Sequence, residues 1–166
     1  RVARIARHLA EAYGIRGEHL DQVEIAGLLH DIGKLRVPEE IIDKPGALTR
    51  EERALVMRHS YDTGHILSKV FPGQPIAEWA AMHHENLLGT GYPCHSLASE
   101  IPREARLIAV ADIFQALSQE RPYRGHMPKD EVISRMAQMS ASGRLDAEMV
   151  RLLQAHLEHC YALALT

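Results

Sequence analysis

Val2, Ile5, Ala6, Leu9 and Tyr13 recur three or four positions apart, the period of one helical face, and predict a helix from Arg1 to about Tyr13 that Gly14 stops. A second helix is expected from about His19 to Asp31, ending at Gly33 and apolar almost all round between Ile25 and Leu29, as a buried core helix is. Pro38 opens a short helical turn through Asp43, and Lys44-Pro45-Gly46 breaks it. Thr49 and Glu52 have the spacing of a capping box, starting a helix that runs past His59. Pro75 opens a helix through His84, Pro102 one that extends to about Ser118, and two more follow near 128–139 and 146–163. No segment sustains period-two alternation, so the fold class is all-α, a compact bundle of about seven or eight helices. The stretch from Glu85 to Ile101, rich in Gly and Pro, reads as a loop, and a loop of that length in a helical domain calls for a function.

The chain has 166 residues, 46% of them hydrophobic and 25% charged, the profile of one globular domain spanning 1–166. Apolar runs such as Leu107 to Ala111 fall far short of the roughly 18 residues of a membrane span, so no membrane segment is expected. Two cysteines, Cys94 and Cys160, read as reduced thiols of a cytoplasmic protein, with a single bridge left open. A net charge of −3 leaves no electrostatic footprint for duplex nucleic acid or anionic lipid. Eleven histidines outnumber the five tyrosines, two phenylalanines and one tryptophan combined, which directs attention to metal chemistry. The helical register is already in place at Arg1, which predicts further residues upstream.

Several polar residues stand where apolar ones belong. In the helix opened by Pro102, the stripe Ala105, Ile108, Ala109, Ile113, Ala116 has Asp112 near its centre. An unpaired buried carboxylate costs several kcal/mol, so Asp112 must hold a cation, a proton or a set of donors; an Arg partner or a capping role is the alternative. His83 and His84 straddle the face that begins with Ile76 and Ala80, so both rings can reach one interior point, although paired surface histidines would look the same. His30-Asp31 closes an apolar helix, either as metal donors or as a core histidine beside a capping aspartate. His59 sits midway along an amphipathic helix and is the weakest of the set. Together these are nitrogen and oxygen donors without thiolate, suited to Fe, Mn, Zn, Ni or Co, and their number exceeds what one catalytic metal uses. Two metals with open positions for water and substrate are therefore expected.

In order along the chain come His30-Asp31-Ile32-Gly33-Lys34, Lys44-Pro45-Gly46 with Leu48-Thr49 and Glu52, His59 with Gly64, and His83-His84-Glu85 leading into Gly89-Thr90-Gly91-Tyr92-Pro93. Asp112, Ala116-Leu117-Ser118 and Arg121-Pro122-Tyr123-Arg124 follow. Over nearly its whole length the chain thus resembles the HD-GYP family, a branch of the HD metal-dependent phosphohydrolases that hydrolyse cyclic di-GMP. The resemblance implies a di-iron or related centre with His30, Asp31, His59, His83, His84 and Asp112 as ligands, a third metal staying open. It implies that Asp31 and Lys34 are catalytic, that Lys34, Arg121 and Arg124 contact substrate phosphates, and that Gly91 and Tyr92 border the substrate. The implied reaction takes cyclic di-GMP to linear pGpG and onward to GMP, usually under an upstream sensor or receiver domain. A catalytically silent domain that binds nucleotide or a protein partner, or a hydrolase of another cyclic dinucleotide or phosphate ester, are the alternatives.

Three departures from the family pattern stand out. Leu87-Leu88 replaces the usual Asp before the Gly-x-Gly-Tyr-Pro run, so the polar anchoring of that loop is in question. Leu145-Asp146-Ala147 stands where Phe-Asp-Pro is usual, a packing change. The family's first histidine ligand falls three residues before Arg1, and His8, about 120° from the inward face of its helix, is a poor substitute.

Overall fold

The computed structural model describes residues 1–119 and 127–165, and among these every regular element is helical. In order these are α1 (Val2–Tyr13), α2 (Gly17–Leu29), α3 (Glu39–Ile42), α4 (Arg50–Met57), α5 (His59–Val70), α6 (Ile76–Ala81), α7 (Arg103–Ser118), α8 (Lys129–Ala141), α9 (Ala147–Ala155) and α10 (Leu157–Leu165). Short 3-10 turns occupy Ile32–Arg36, Met82–His84 and Ala98–Glu100.

α7 is the central rod, with α1, α2, α6, α8, α9 and α10 packed around it. Leu107, Ile108, Val110, Ala111 and Phe114 are all fully buried, so the helix is covered on more than one side and is not the single-striped helix its sequence suggested. Ile113 and Ala116, expected on its core face, are only half-buried. Each large apolar side chain so enclosed stabilises the fold by about 1.5–3 kcal/mol. In α1 the predicted face holds: Val2, Ile5, Ala6 and Leu9 are buried against α2 and α7. In α2 the expectation of all-round burial fails, because Leu28 is 70% exposed while Ala26 is buried and Gly27 lies close against Ala3 and Ala6 of α1.

Three helices predicted as continuous are interrupted, the one opened by Pro75 ending at Ala81 and passing into the Met82–His84 turn. The capping box of Thr49 and Glu52 forms, but its helix breaks at Arg58, and His59 opens α5 instead of lying mid-helix. There the His59 ring takes the Val56 carbonyl at 2.6 Å, a side chain competing for an acceptor of the helical ladder. The C-terminal helix likewise divides at His156 into α9 and α10. Cys94 and Cys160 are both free thiols, and no helix among the described residues is long and apolar enough to cross a membrane.

Candidate metal centre

His30 and Asp31 follow the end of α2, His59 begins α5, His83 and His84 lie in the turn after α6, and Asp112 projects from α7. The structure brings all of them together. Donor atoms of Asp31, His59, His83 and His84 lie within 4.8 Å of one another, and so do those of His30, His83 and Asp112. The two Asp31 oxygens face different partners: Oδ1 is 3.3 Å from His59 Nε2 and 3.9 Å from His83 Nε2, while Oδ2 is 3.5 Å from His30 Nε2. His30 Nε2 is also 3.5 Å from Asp112 Oδ1.

A repeated local device aims these rings. His30, His59 and His83 each place Nδ1 on the carbonyl three residues earlier, those of Gly27, Val56 and Ala80, at 2.8, 2.6 and 2.6 Å. A carbonyl only accepts, so Nδ1 must be the donor, and Nε2 is turned inward in each case. Such an outer bond fixes the tautomer and orientation that a metal ligand needs. The donor set also fits a cation on a second ground. Asp31 Oδ1 and His83 Nε2 are buried without a hydrogen-bond partner, an expensive arrangement for polar atoms unless a ligand completes it.

The electrostatics agree. Burial drives the His83 imidazole well below its ordinary pKa, helped by His84 and His30, so it is neutral at pH 7. Burial takes His84 down to about 4 despite the carboxylates of Asp112 and Asp31. Asp31 and Asp112 move down although burial opposes it, because His59, His30 and Lys34 stand beside the first and His30 beside the second. His30 moves up, its burial outweighed by Asp112 and Asp31, so a cation entering between these groups competes with a proton.

The turn carrying Asp31 is held by Gly33 of the sequence motif and by Thr63, Arg36 and Asp62, which the sequence did not single out. Thr63 Oγ1 donates to the His30 carbonyl and accepts from Gly33 N–H, both at 3.0 Å. Gly33 is pressed so closely on α5 that a Cβ there would come within 2.0 Å of the His59 carbonyl oxygen. Arg36 adds an ion pair to buried Asp62 at 2.9 Å. Thr63 lies one helical turn after His59 on the same face, the one sequence signal that could have found it. Lys34 places Nζ 2.6 Å from Asp31 Oδ2 at the mouth of the cluster.

The loop after His84 is anchored without the family's Asp. Asn86 Oδ1 accepts from the N–H groups of Leu88 and Thr90, and the buried Glu85 carboxylate accepts from those of Cys94 and Ser96. Gly91 lines the adjoining cavity, but its missing side chain serves the loop itself: a Cβ there would lie 2.5 Å from the His84 oxygen. Tyr92 lies 4.7 Å from the His84 ring, and burial, then Asp112 and Asp31, push its hydroxyl up to about 12, so it remains a neutral donor. This cavity of about 360 Å³ opens beside His83 and His84 and has Ile113, Met139, Arg144 and Leu145 on its far side. Arg121 and Arg124 lie outside the described residues. His8 is not in the cluster; its Nε2 lies 3.1 Å from His156 Nδ1 on another face.

Comparison with known proteins follows the same lines. Residues 1–149 match the HD domain family. The 3'3'-cGAMP-specific phosphodiesterase 1 of Vibrio cholerae is 41% identical over 165 residues, 99% of this chain and 38% of its own length. The cyclic di-GMP phosphodiesterase of Thermotoga maritima is 37% identical over 149 residues, 87% of this chain and 39% of its own. The chain therefore spans less than two fifths of either relative. Among solved structures, an HDG"Y"P protein from Bdellovibrio bacteriovorus superposes with a TM-score of 0.74 at 21% identity, covering 95% of this chain and 50% of that one, a likeness of fold. A cyclic GMP-AMP specific phosphodiesterase of V. cholerae gives 0.56 at 36% identity, covering 95% and 35%.

Proposed function

The chain belongs to the HD-domain family, in its HD-GYP branch, and on that premise we propose that it is a metal-dependent phosphodiesterase opening cyclic di-GMP to linear pGpG and onward to GMP. The observation that carries the reading is Asp31, whose two oxygens face two separate donor groups while one of them, Oδ1, is buried and unpartnered. Asp31, His59, His83 and His84 would hold one cation, and His30, His83 and Asp112 would hold a second beside it. Iron is the first candidate, and Mn, Zn, Ni or Co suit the same donors. Such a pair, when bound, makes a water nucleophilic near neutral pH and offsets charge on the phosphoryl oxygens.

The chain's own residues do the rest. Neutral His83 and His84 offer nitrogen without first having to lose a proton at pH 7. Lys34 brings a compact positive charge to the mouth of the site for a phosphate oxygen, and Tyr92 offers a hydroxyl proton that it does not lose in the physiological range. Arg121 and Arg124 are assigned to phosphate by their sequence motif, a guanidinium fork matching two phosphate oxygens. The loop held by Glu85 and Asn86 walls one part of the cavity.

A second reading, 3'3'-cGAMP as substrate, has its own support in the names of the relatives, one of them 50% identical over 111 residues. The test is turnover of both nucleotides by protein loaded anaerobically with Fe²⁺, or with Mn²⁺, followed by separation of linear products. Hydrolysis that a chelator abolishes is expected. Tight binding of nucleotide by the metal-loaded protein with no linear product would overturn the enzymatic reading in favour of a silent binding domain.

A further inference from the structure

The turn between α8 and α9 is pinned at every residue but one side chain. Gly143 and Arg144 close α8 through N–H bonds to the Ser140 and Met139 carbonyls. Leu145 is buried, and Asp146 caps α9 while pairing with Arg106 at 2.7 Å. Arg106 is fully engaged, holding Asp146 together with the carbonyls of Ile101 and Ala98. Arg144 is the contrast: its backbone is fixed, yet its guanidinium has no partner among the described residues and edges the cavity beside His83 and His84.

The departure at Leu88 belongs to the same wall. Its side chain lies over Gly143, where a Cβ would come within 2.9 Å of Leu88 Cδ2. The loop that carries Tyr92 and the turn that carries Arg144 are thereby in contact, with Ile113, Met139 and Leu145 forming an apolar floor between them. Ile113, Met139 and Leu145 offer apolar contact to the face of a purine and the Arg144 guanidinium a donor fork to its edge, in a cavity whose remaining lining, from His83 to Tyr92, is largely polar. Guanine presents two acceptors, O6 and N7, to such a fork, whereas adenine presents a donor at the 6-position that opposes it.

We propose that Arg144 is a specificity-determining residue that reads the O6/N7 edge of a guanine seated in this cavity, selecting guanine-containing cyclic dinucleotides over adenine ones. The inference rests on the proposed function for its class of ligand. Both substrates considered above carry the guanine it requires.

The test compares binding of cyclic di-GMP and cyclic di-AMP by calorimetry to the wild type, Arg144→Gln and Arg144→Lys, each checked for metal content and thermal unfolding, with hydrolysis followed in parallel. The wild type is expected to favour cyclic di-GMP by roughly tenfold or more, the discrimination of one bidentate contact. Arg144→Gln should erase that preference through weaker cyclic di-GMP binding alone, and Arg144→Lys, lacking the fork, should recover only part of it. Metal content should not change. An unchanged preference, an equal loss for both nucleotides, or a wild type that binds neither would overturn the assignment. A wild type with the expected preference and no turnover would instead overturn the enzymatic reading and leave the role of Arg144 standing.

Discussion

Asp112 and Lys34 both lie against the His30-Asp31 pair, yet they are built for different work. Asp112 pairs with His30 and shares one donor group with His83, which makes its carboxylate a candidate metal ligand. Lys34 pairs, among the described residues, with the outer oxygen of Asp31. Asp112→Ala should therefore lower metal affinity by at least about 100-fold and turnover with it, read by elemental analysis of dialysed protein. Lys34→Ala should keep the metals and lose about 100-fold in kcat/KM, the usual scale for one donor that stabilises developing charge. Metal loss in Lys34→Ala would move that residue from the phosphate to the support of Asp31.

Between residue and domain stands the contact of the Ile32–Arg36 turn with α5, which sets where Asp31 meets His59. Thr63 fixes this contact by bonding both sides of Asp31, at the His30 carbonyl and the Gly33 N–H. Gly33 permits it, since nothing larger fits under the His59 carbonyl. Gly33→Ala should cost about 1–3 kcal/mol of stability as the turn is forced off α5. Because His59 and Asp31 would part together, the same variant should also lose metal at the position they share. A denaturant melt with elemental analysis checks both, and a variant of wild-type stability and metal content would show that the contact has slack.

Across the whole molecule, the C-terminal helices are tied to the central one by Asp146, which accepts from Arg106 of α7 and from the N–H groups of Glu148 and Met149 at the start of α9. Burial raises the Asp146 carboxyl, but Arg106 and the capping N–H groups outweigh it and hold it below the ordinary carboxylate range. A carboxyl depressed in the folded state stabilises the protein at any pH above its unfolded value of about 3.9, and that contribution fades as pH falls towards the folded value. Asp146→Asn keeps a capping side chain and loses the charge. It should be less stable than wild type by about 1 kcal/mol at pH 7, a gap that narrows below about pH 4. A gap independent of pH would mean that packing, not charge, ties these helices.

Periodicity and misplaced polarity are local properties, which is why the helical class, the face of α1 and the six candidate ligands were all legible in the chain itself. A histidine or aspartate in an apolar helix announces an interior partner wherever that partner lies. What completes the site is contact between distant segments: Thr63 to His30 across 33 positions, Asp146 to Arg106 across 40, Leu88 over Gly143. No local pattern encodes these, because a hydroxyl or guanidinium reads the same in sequence whether it meets solvent, a carbonyl or a carboxylate. The break before His59 and the Arg144 guanidinium without a partner among the described residues are of this kind as well. The first arises from a side chain taking a carbonyl of the helical ladder, and the second from a turn whose other polar groups were already taken. Chain chemistry determined that this protein would gather imidazoles and carboxylates inside a helical bundle. Only the packed structure decided which imidazoles surround Asp31 and that Arg144 edges the cavity, because both depend on distances that exist only once the helices have met.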